Sequence, residues 1–200
     1  MPATQESRSD TGTRKTRSSG NLKLDLGCGE RCQPGFEGVD IKPVEGVVHV
    51  TDLFKYPWPF DTKTVKEVYC SHLVEHIPHY RPEYEGVDGW WMFFNELHRI
   101  CKRNAKVRIQ HPYLRSERAF WDPTHTRYIC ENTWYYLTKE WRESQKLENY
   151  DANCDFEIIT IQGVGVSDVL ASRHAEAQEF ARIHYWNLIG DLVVDMRVIK

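Results

Sequence analysis

Leu22-Lys23-Leu24-Asp25-Leu26 is an apolar run that feeds directly into Gly27-Cys28-Gly29. A strand that ends on two glycines one residue apart has few structural destinations. Glycine reaches backbone angles closed to other residues and lets another group approach the main chain closely. In open α/β sheets, ligands bind beyond the carboxyl ends of strands, at the point where the strand order reverses. A lone G-x-G is a common turn, so its meaning depends on the segments downstream of it.

Downstream lies a series of short β-branched runs. Strands are predicted at Leu22 to Leu26, Phe36 to Ile41, Val47 to Val50, Val65 to Cys70, Val107 to Gln110, Phe156 to Val166 and Leu192 to Ile199. Trp90, Phe93, Phe94, Leu97, Ile100 and Cys101 recur at helical spacing and mark one inward face. Asn132 or Thr133 is a candidate cap for a helix running to about Trp141, and Asp168 to about Trp186 also reads as helical. Strands alternating with helices predict a mainly parallel sheet covered on both faces, a three-layer, doubly wound α/β fold. Only eight residues separate Gly29 from Gly38. A crossover that includes its own helix needs at least about 10–12 residues, so the first crossover is shortened and its helix is lost or cut to one turn.

The chain's 200 residues suit one domain, here residues 21–200. Residues 1–20 are Ser, Thr, Arg, Lys and Gly with almost no large apolar side chain, and they read as a disordered tail. The net charge of −3 argues against a broad electrostatic grip on nucleic acid, although it leaves a local patch open. No C-x-x-C pair occurs among Cys28, Cys32, Cys70, Cys101, Cys130 and Cys154, which argues against a zinc ribbon or a redox pair. No apolar stretch reaches the ~20 residues of a membrane span. A cytoplasmic protein with reduced thiols, and no membrane partner, is expected.

Three acids sit at or near successive strand ends: Asp25 before the glycines, Asp40 closing Gly38-Val39-Asp40, and Asp52 in Thr51-Asp52-Leu53. A carboxylate at the second strand end can accept both hydroxyls of a ribose. One at the third can accept from an exocyclic adenine amine. Either acid alone could equally cap a turn. Together with the glycines, the trio suits an adenosine ligand. The nicotinamide pattern G-x-G-x-x-G is absent, since position 32 is Cys.

These segments, with Ser71-His72-Leu73-Val74-Glu75-His76 and the later Asp122-Pro123-Thr124-His125-Thr126-Arg127, resemble the class I S-adenosylmethionine-dependent methyltransferases over about residues 21 to 140. The resemblance implies a Rossmann-like methyltransferase fold of seven strands, the last antiparallel. It implies S-adenosyl-L-methionine as cofactor. Nothing in the sequence identifies the acceptor, and a small molecule is the expectation. By position, the cofactor falls to Asp25, Gly27, Cys28 and Gly29, to Asp40 and Ile41, to Asp52 and Leu53, and to Cys70 and Ser71. No metal ligand set is implied.

A sulfonium methyl group is already electrophilic, so aligning the acceptor is the main task, worth roughly 7–11 kcal/mol. A general base adds about 10²–10⁴-fold where the acceptor loses a proton. The candidate bases are His72, His111, Asp122 and His125. Trp121, Trp134, Tyr135 and Tyr136 are candidates for a stacking platform or lid. Two other functions fit parts of the sequence. His72-Leu73-Val74-Glu75-His76 matches the zinc-peptidase pattern H-x-x-E-H, provided a helix runs through His72. A module that binds the cofactor without turnover is also compatible with the shortened crossover.

Overall fold

The computed structural model describes residues 21–80, 82–147, 149–165, 170 and 172–200. The expected tail at residues 1–20 lies outside the described residues, as do Val166 and the start of the helix expected from Asp168.

Seven strands form one sheet: β1 (Leu22–Leu26), β2 (Glu37–Asp40), β3 (Val47–Val50), β4 (Val65–Ser71), β5 (Cys101–Pro112), β6 (Phe156–Val164) and β7 (Asp191–Val198). Their order is β3-β2-β1-β4-β5-β7-β6. β3, β2, β1, β4 and β5 pair in parallel, while β7 is antiparallel to both neighbours. The described helices are α1 (Gly89–Ile100), the short α2 (Arg118–Trp121), α3 (Glu131–Tyr135) and α4 (Lys139–Ser144), and α5 (Ala175–His184). The helix expected from Asn132 or Thr133 to Trp141 is thus two short helices, the first capped at Cys130 instead.

As the short spacing requires, β1 passes to β2 through turns, with no helix. The β3–β4 connection is also free of helix, and α1 pins it. Glu96 on α1 accepts from Trp58 N at 2.6 Å, and Arg99 donates to the carbonyls of Trp58 and Phe60. Trp58 thereby enters the core against Phe93. Phe94, Trp134 and Phe156 continue this aromatic layer, so α1 and α3 cover one face of the sheet. Trp58, Phe93, Phe94, Trp134 and Phe156 are therefore packing residues. Fully burying such a side chain contributes roughly 1.5–3 kcal/mol.

On the opposite face the strands carry charge. Lys23 pairs with Glu67 at 2.6 Å, Arg108 with Asp195 at 2.7 Å, and Arg197 with Glu157 at 3.5 Å. The connections from β1 to β2 and from β2 to β3 hold no helix that could lie there. The strands there carry their own ladder of partly exposed ion pairs.

Candidate active site

The strand order reverses between β1 and β4, and the glycine loop lies at that switch point. Gly27 (φ +73°) and Gly29 (φ +52°) both use the left-handed region. A β-carbon on Gly27 would lie 3.1 Å from the Leu73 side chain, so the loop abuts the end of β4 closely. A β-carbon on Gly29 would meet nothing within 4 Å, so open space faces the backbone there.

Asp40 ties the loop to β2. Its Oδ2 accepts from Gly29 N at 2.9 Å and its Oδ1 from Lys42 N at 3.1 Å. Each oxygen keeps a lone pair beyond these bonds. Asp52 Oδ1 accepts from Phe54 N at 2.9 Å. Both acids therefore shape turns and retain accepting capacity. Asp25 is buried beneath the loop, where its Oδ2 accepts from Gln33 N at 2.7 Å. Burial raises its pKa against the pull of that N–H, and the carboxylate braces the loop from below. Burial, with Asp25 next in effect, pushes the Cys28 thiol up to about 11. Ile41 is 60% exposed beside Asp40, whereas Leu53 and Cys70 join the core. The Cys70 side chain is buried, and burial, with Glu75 and Asp25 next in effect, raises its thiol pKa well above the ordinary value. Ser71 points to the other face, half-buried.

The candidate bases end in different environments. β4 stops at Ser71, and His72 adopts φ +54° before a 3-10 turn at Val74–His76. This corrects the premise of the H-x-x-E-H reading, because no helix aligns His72 and His76 on one face. His72 lies between Asp191 Oδ2 at 3.4 Å and Glu75 Oε1 at 3.3 Å. The adjacent carboxylates of Asp191 and then Glu75 favour its charged form and raise its pKa to about 9, so at neutral pH it is a cation rather than a base. Burial pushes the Asp191 pKa up, but hydrogen bonds from His72 and Gln110 outweigh it and lower the pKa overall.

His111 is fully buried, with both ring nitrogens engaged. Trp134 Nε1 donates to its Nε2 at 3.2 Å, so its Nδ1–H donates to the Pro112 carbonyl at 2.9 Å. Burial lowers its pKa to about 4. This geometry makes it a neutral core group and corrects the expectation of a base. Trp134 likewise belongs to the core and not to a platform. Asp122 is an exposed turn acid whose Oδ1 accepts from Thr124 N at 2.7 Å and from Thr124 Oγ1 at 2.6 Å. Those bonds lower its pKa, and they make it a poor proton acceptor.

His125 is different. Its Nδ1 lies 2.8 Å from the Ala119 carbonyl, which can only accept, so Nδ1 carries the proton and Nε2 the lone pair. That Nε2 lies 4.0 Å from Glu75 Oε1. The Asp122–Arg127 segment is laced to the β4–α1 connection. Thr126 N and Arg127 N both donate to the Glu75 carbonyl, and the Arg127 side chain donates to Ile77 O, Pro78 O and Asp88. Beside it a cavity of about 400 Å³ opens between α1 and α3, lined by Asp88, Trp90, Arg127, Tyr128, Thr133 and Tyr136. The residues around His72 (Asp191, Gln110 and Arg118) were not among those expected from the sequence. Nothing local marks them, since they arrive from three separate elements.

No protein-family model matches the sequence, and no curated protein matches it. Solved structures do resemble its fold. A SAM-dependent methyltransferase from Archaeoglobus fulgidus superposes with a TM-score of 0.58 at 19% identity, over 88% of this chain and 86% of that one. An S-adenosylmethionine-dependent methyltransferase from Mesorhizobium loti gives 0.50 at 14% identity, over 88% and 90%. The chain thus has the seven-stranded, helix-flanked fold of these proteins.

Proposed function

We propose that this chain binds S-adenosylmethionine at the glycine loop and transfers its methyl group to a small-molecule acceptor. One observation carries the reading. The 2.9 Å bond from Gly29 N to Asp40 Oδ2 holds a left-handed glycine loop against a strand-end carboxylate at the sheet's switch point. When bound, the cofactor supplies an electrophilic methyl group on a sulfonium.

The chain's own residues divide the remaining work. Gly27, Cys28 and Gly29 give the methionine part a close approach to the backbone, with Asp25 bracing the loop. Asp40 accepts the ribose hydroxyls through its spare lone pairs. Ile41 offers an exposed apolar cover for the adenine, and Asp52, anchored by buried Leu53, accepts from its amine. The backbone of Cys70 and the Ser71 side chain border the methyl side. On the acceptor side, His125 is the candidate base that keeps an open lone pair, while His72 donates. The cavity beside Arg127, with its aromatic walls, supports an acceptor that has an apolar part. The net charge of −3 favours a small acceptor over a nucleic acid.

Calorimetric titration of S-adenosylmethionine and S-adenosylhomocysteine into the purified chain is the test. Micromolar binding is expected, weakened about tenfold or more in Asp40→Ala. Asp40→Asn keeps an acceptor for Gly29 N but loses the charge, so it separates loop collapse from lost ribose contacts. No binding to the folded wild-type chain sinks the reading.

A further inference from the structure

Glu75 is a buried carboxylate that faces the His72 ring but that no aligned hydrogen bond satisfies. Its side chain is 2% exposed, yet neither oxygen has a hydrogen-bond partner among the described residues. His72 Nδ1 stands 3.3 Å from Oε1 without hydrogen-bond alignment. Leaving a buried polar group unpaired costs about 1–3 kcal/mol, and more for a charge. Such a group needs an explanation.

Beyond His72, two further imidazoles share its space. One donor atom each from Glu75, His76 and His125 falls within 4.8 Å of the others. The rings of His76 and His125 meet edge to face, 4.7 Å between centroids. Their hydrogen bonds set the tautomers. Thr124 Oγ1 gives its single proton to Asp122 Oδ1 at 2.6 Å, so toward His76 Nδ1, 3.1 Å away, it can only accept. His76 therefore carries its proton on Nδ1, as His125 does toward the Ala119 carbonyl. Both Nε2 atoms are left with lone pairs. Metal-ligating histidines almost always donate their other ring N–H to such a carbonyl or carboxylate-backed partner.

From this geometry we infer that Glu75, His76 and His125 form a binding site for a divalent first-row transition ion. Two imidazole nitrogens and one carboxylate suit Mn²⁺ through Zn²⁺, whereas Mg²⁺ and Ca²⁺ prefer oxygen alone. Metal bonds of about 2.0–2.2 Å require the three donors to draw together somewhat, which side-chain rotation allows. The ligands come from the turn after β4 and from the β5–α3 connection, which the Thr126 and Arg127 backbone bonds clamp together. Leu73, two residues before Glu75, packs on Gly27, so the ion sits near the crevice. The role in catalysis rests on the function proposed above. There the ion's open positions hold an oxygen of the acceptor, and its charge eases loss of the acceptor's proton, the work otherwise left to His125.

Untagged full-length chain, stripped with chelator and dialysed, is titrated with Co²⁺ and followed by visible absorbance and calorimetry. One equivalent is expected, with ligand-field bands that Zn²⁺ abolishes and Mg²⁺ leaves unchanged. His76→Gln and His125→Gln each weaken binding about tenfold or more. Thr124→Val, which removes the hydroxyl shared by His76 Nδ1 and Asp122 and leaves His76 Nε2 untouched, weakens it about tenfold. Circular dichroism establishes that each variant is folded. Wild-type chain that takes up no Co²⁺ at millimolar concentration, or binding unchanged in the His76→Gln/His125→Gln double variant, overturns the site. S-adenosylmethionine titrated into the same preparations keeps the two readings apart. Metal without cofactor binding removes the proposed function and leaves the site, while cofactor without metal does the reverse.

Discussion

His111 shows how one buried side chain writes itself into the pH dependence of stability. Its folded pKa is depressed to about 4, while the unfolded chain should titrate near the ordinary value of about 6.5. Between those values the unfolded state takes up a proton that the folded state refuses, so stability is lost as pH falls through that window. The loss between pH 7 and pH 5 is at most about 2 kcal/mol. Urea unfolding at the two pH values should show a fall shallower by about that amount in His111→Gln. Equal falls would mean that His111 titrates normally. The crevice residues give a second pair of predictions. A β-carbon on Gly38 would overlap the Gly46 carbonyl and lie 2.7 Å from Cys28 Sγ, so Gly38→Ala must move backbone. It should cost about 1–3 kcal/mol, read as a lowered unfolding midpoint, and weaken cofactor binding. His125→Asn should lower the transfer rate about 10²–10⁴-fold while cofactor affinity stays within about twofold. Loss of both together would point to collapse of the site.

Among the elements, the connection after β5 matters most for the site. It carries the Asp122–Arg127 segment back across the sheet edge to the turn after β4, and Arg127 is the fastener. Its guanidinium donates to Ile77 O at 2.7 Å, Pro78 O at 2.9 Å and Asp88 at 2.6 Å, and Asp88 also caps α1 through Trp90 N. Arg127→Ala should destabilise the chain by about 2–3 kcal/mol, because it removes three charge-assisted hydrogen bonds from a mostly buried guanidinium. Lysine should not rescue it, since a single ammonium cannot span three fixed acceptors. Hydrogen exchange should report faster opening of residues 72–79 in both variants, and protection unchanged from wild type would deny Arg127 this role.

At the scale of the molecule, the sheet has one face filled with aromatics and one lined with charge. The two faces should answer mutation differently. Arg108→Ala on the charged face removes an ion pair with Asp195 that is partly exposed, and the expected cost stays within about 1 kcal/mol. Phe94→Ala on the packed face, against Trp90 and Trp134, should cost about 3–5 kcal/mol. Thermal unfolding of the two variants side by side measures the contrast, and comparable losses would mean that the charged face is buried in solution.

Local rules made much of this legible in advance. Apolar runs ending at glycine and aspartate marked the strands and the switch-point loop, because period and turn chemistry act within a few residues. Eight residues between Gly29 and Gly38 ruled out a full crossover helix, because chain length limits what can be built. The fates of the histidines were not legible. His111 became a neutral core group because the fold buries it completely, with Trp134 of α3 packed on its ring. His72 became a cation because β7 brought Asp191 beside it. Glu75 came to lie among His72, His76 and His125 because the β5–α3 connection folds back over the turn after β4. Protonation and partnership depend on burial and on groups distant in sequence, and only the tertiary structure brings those together.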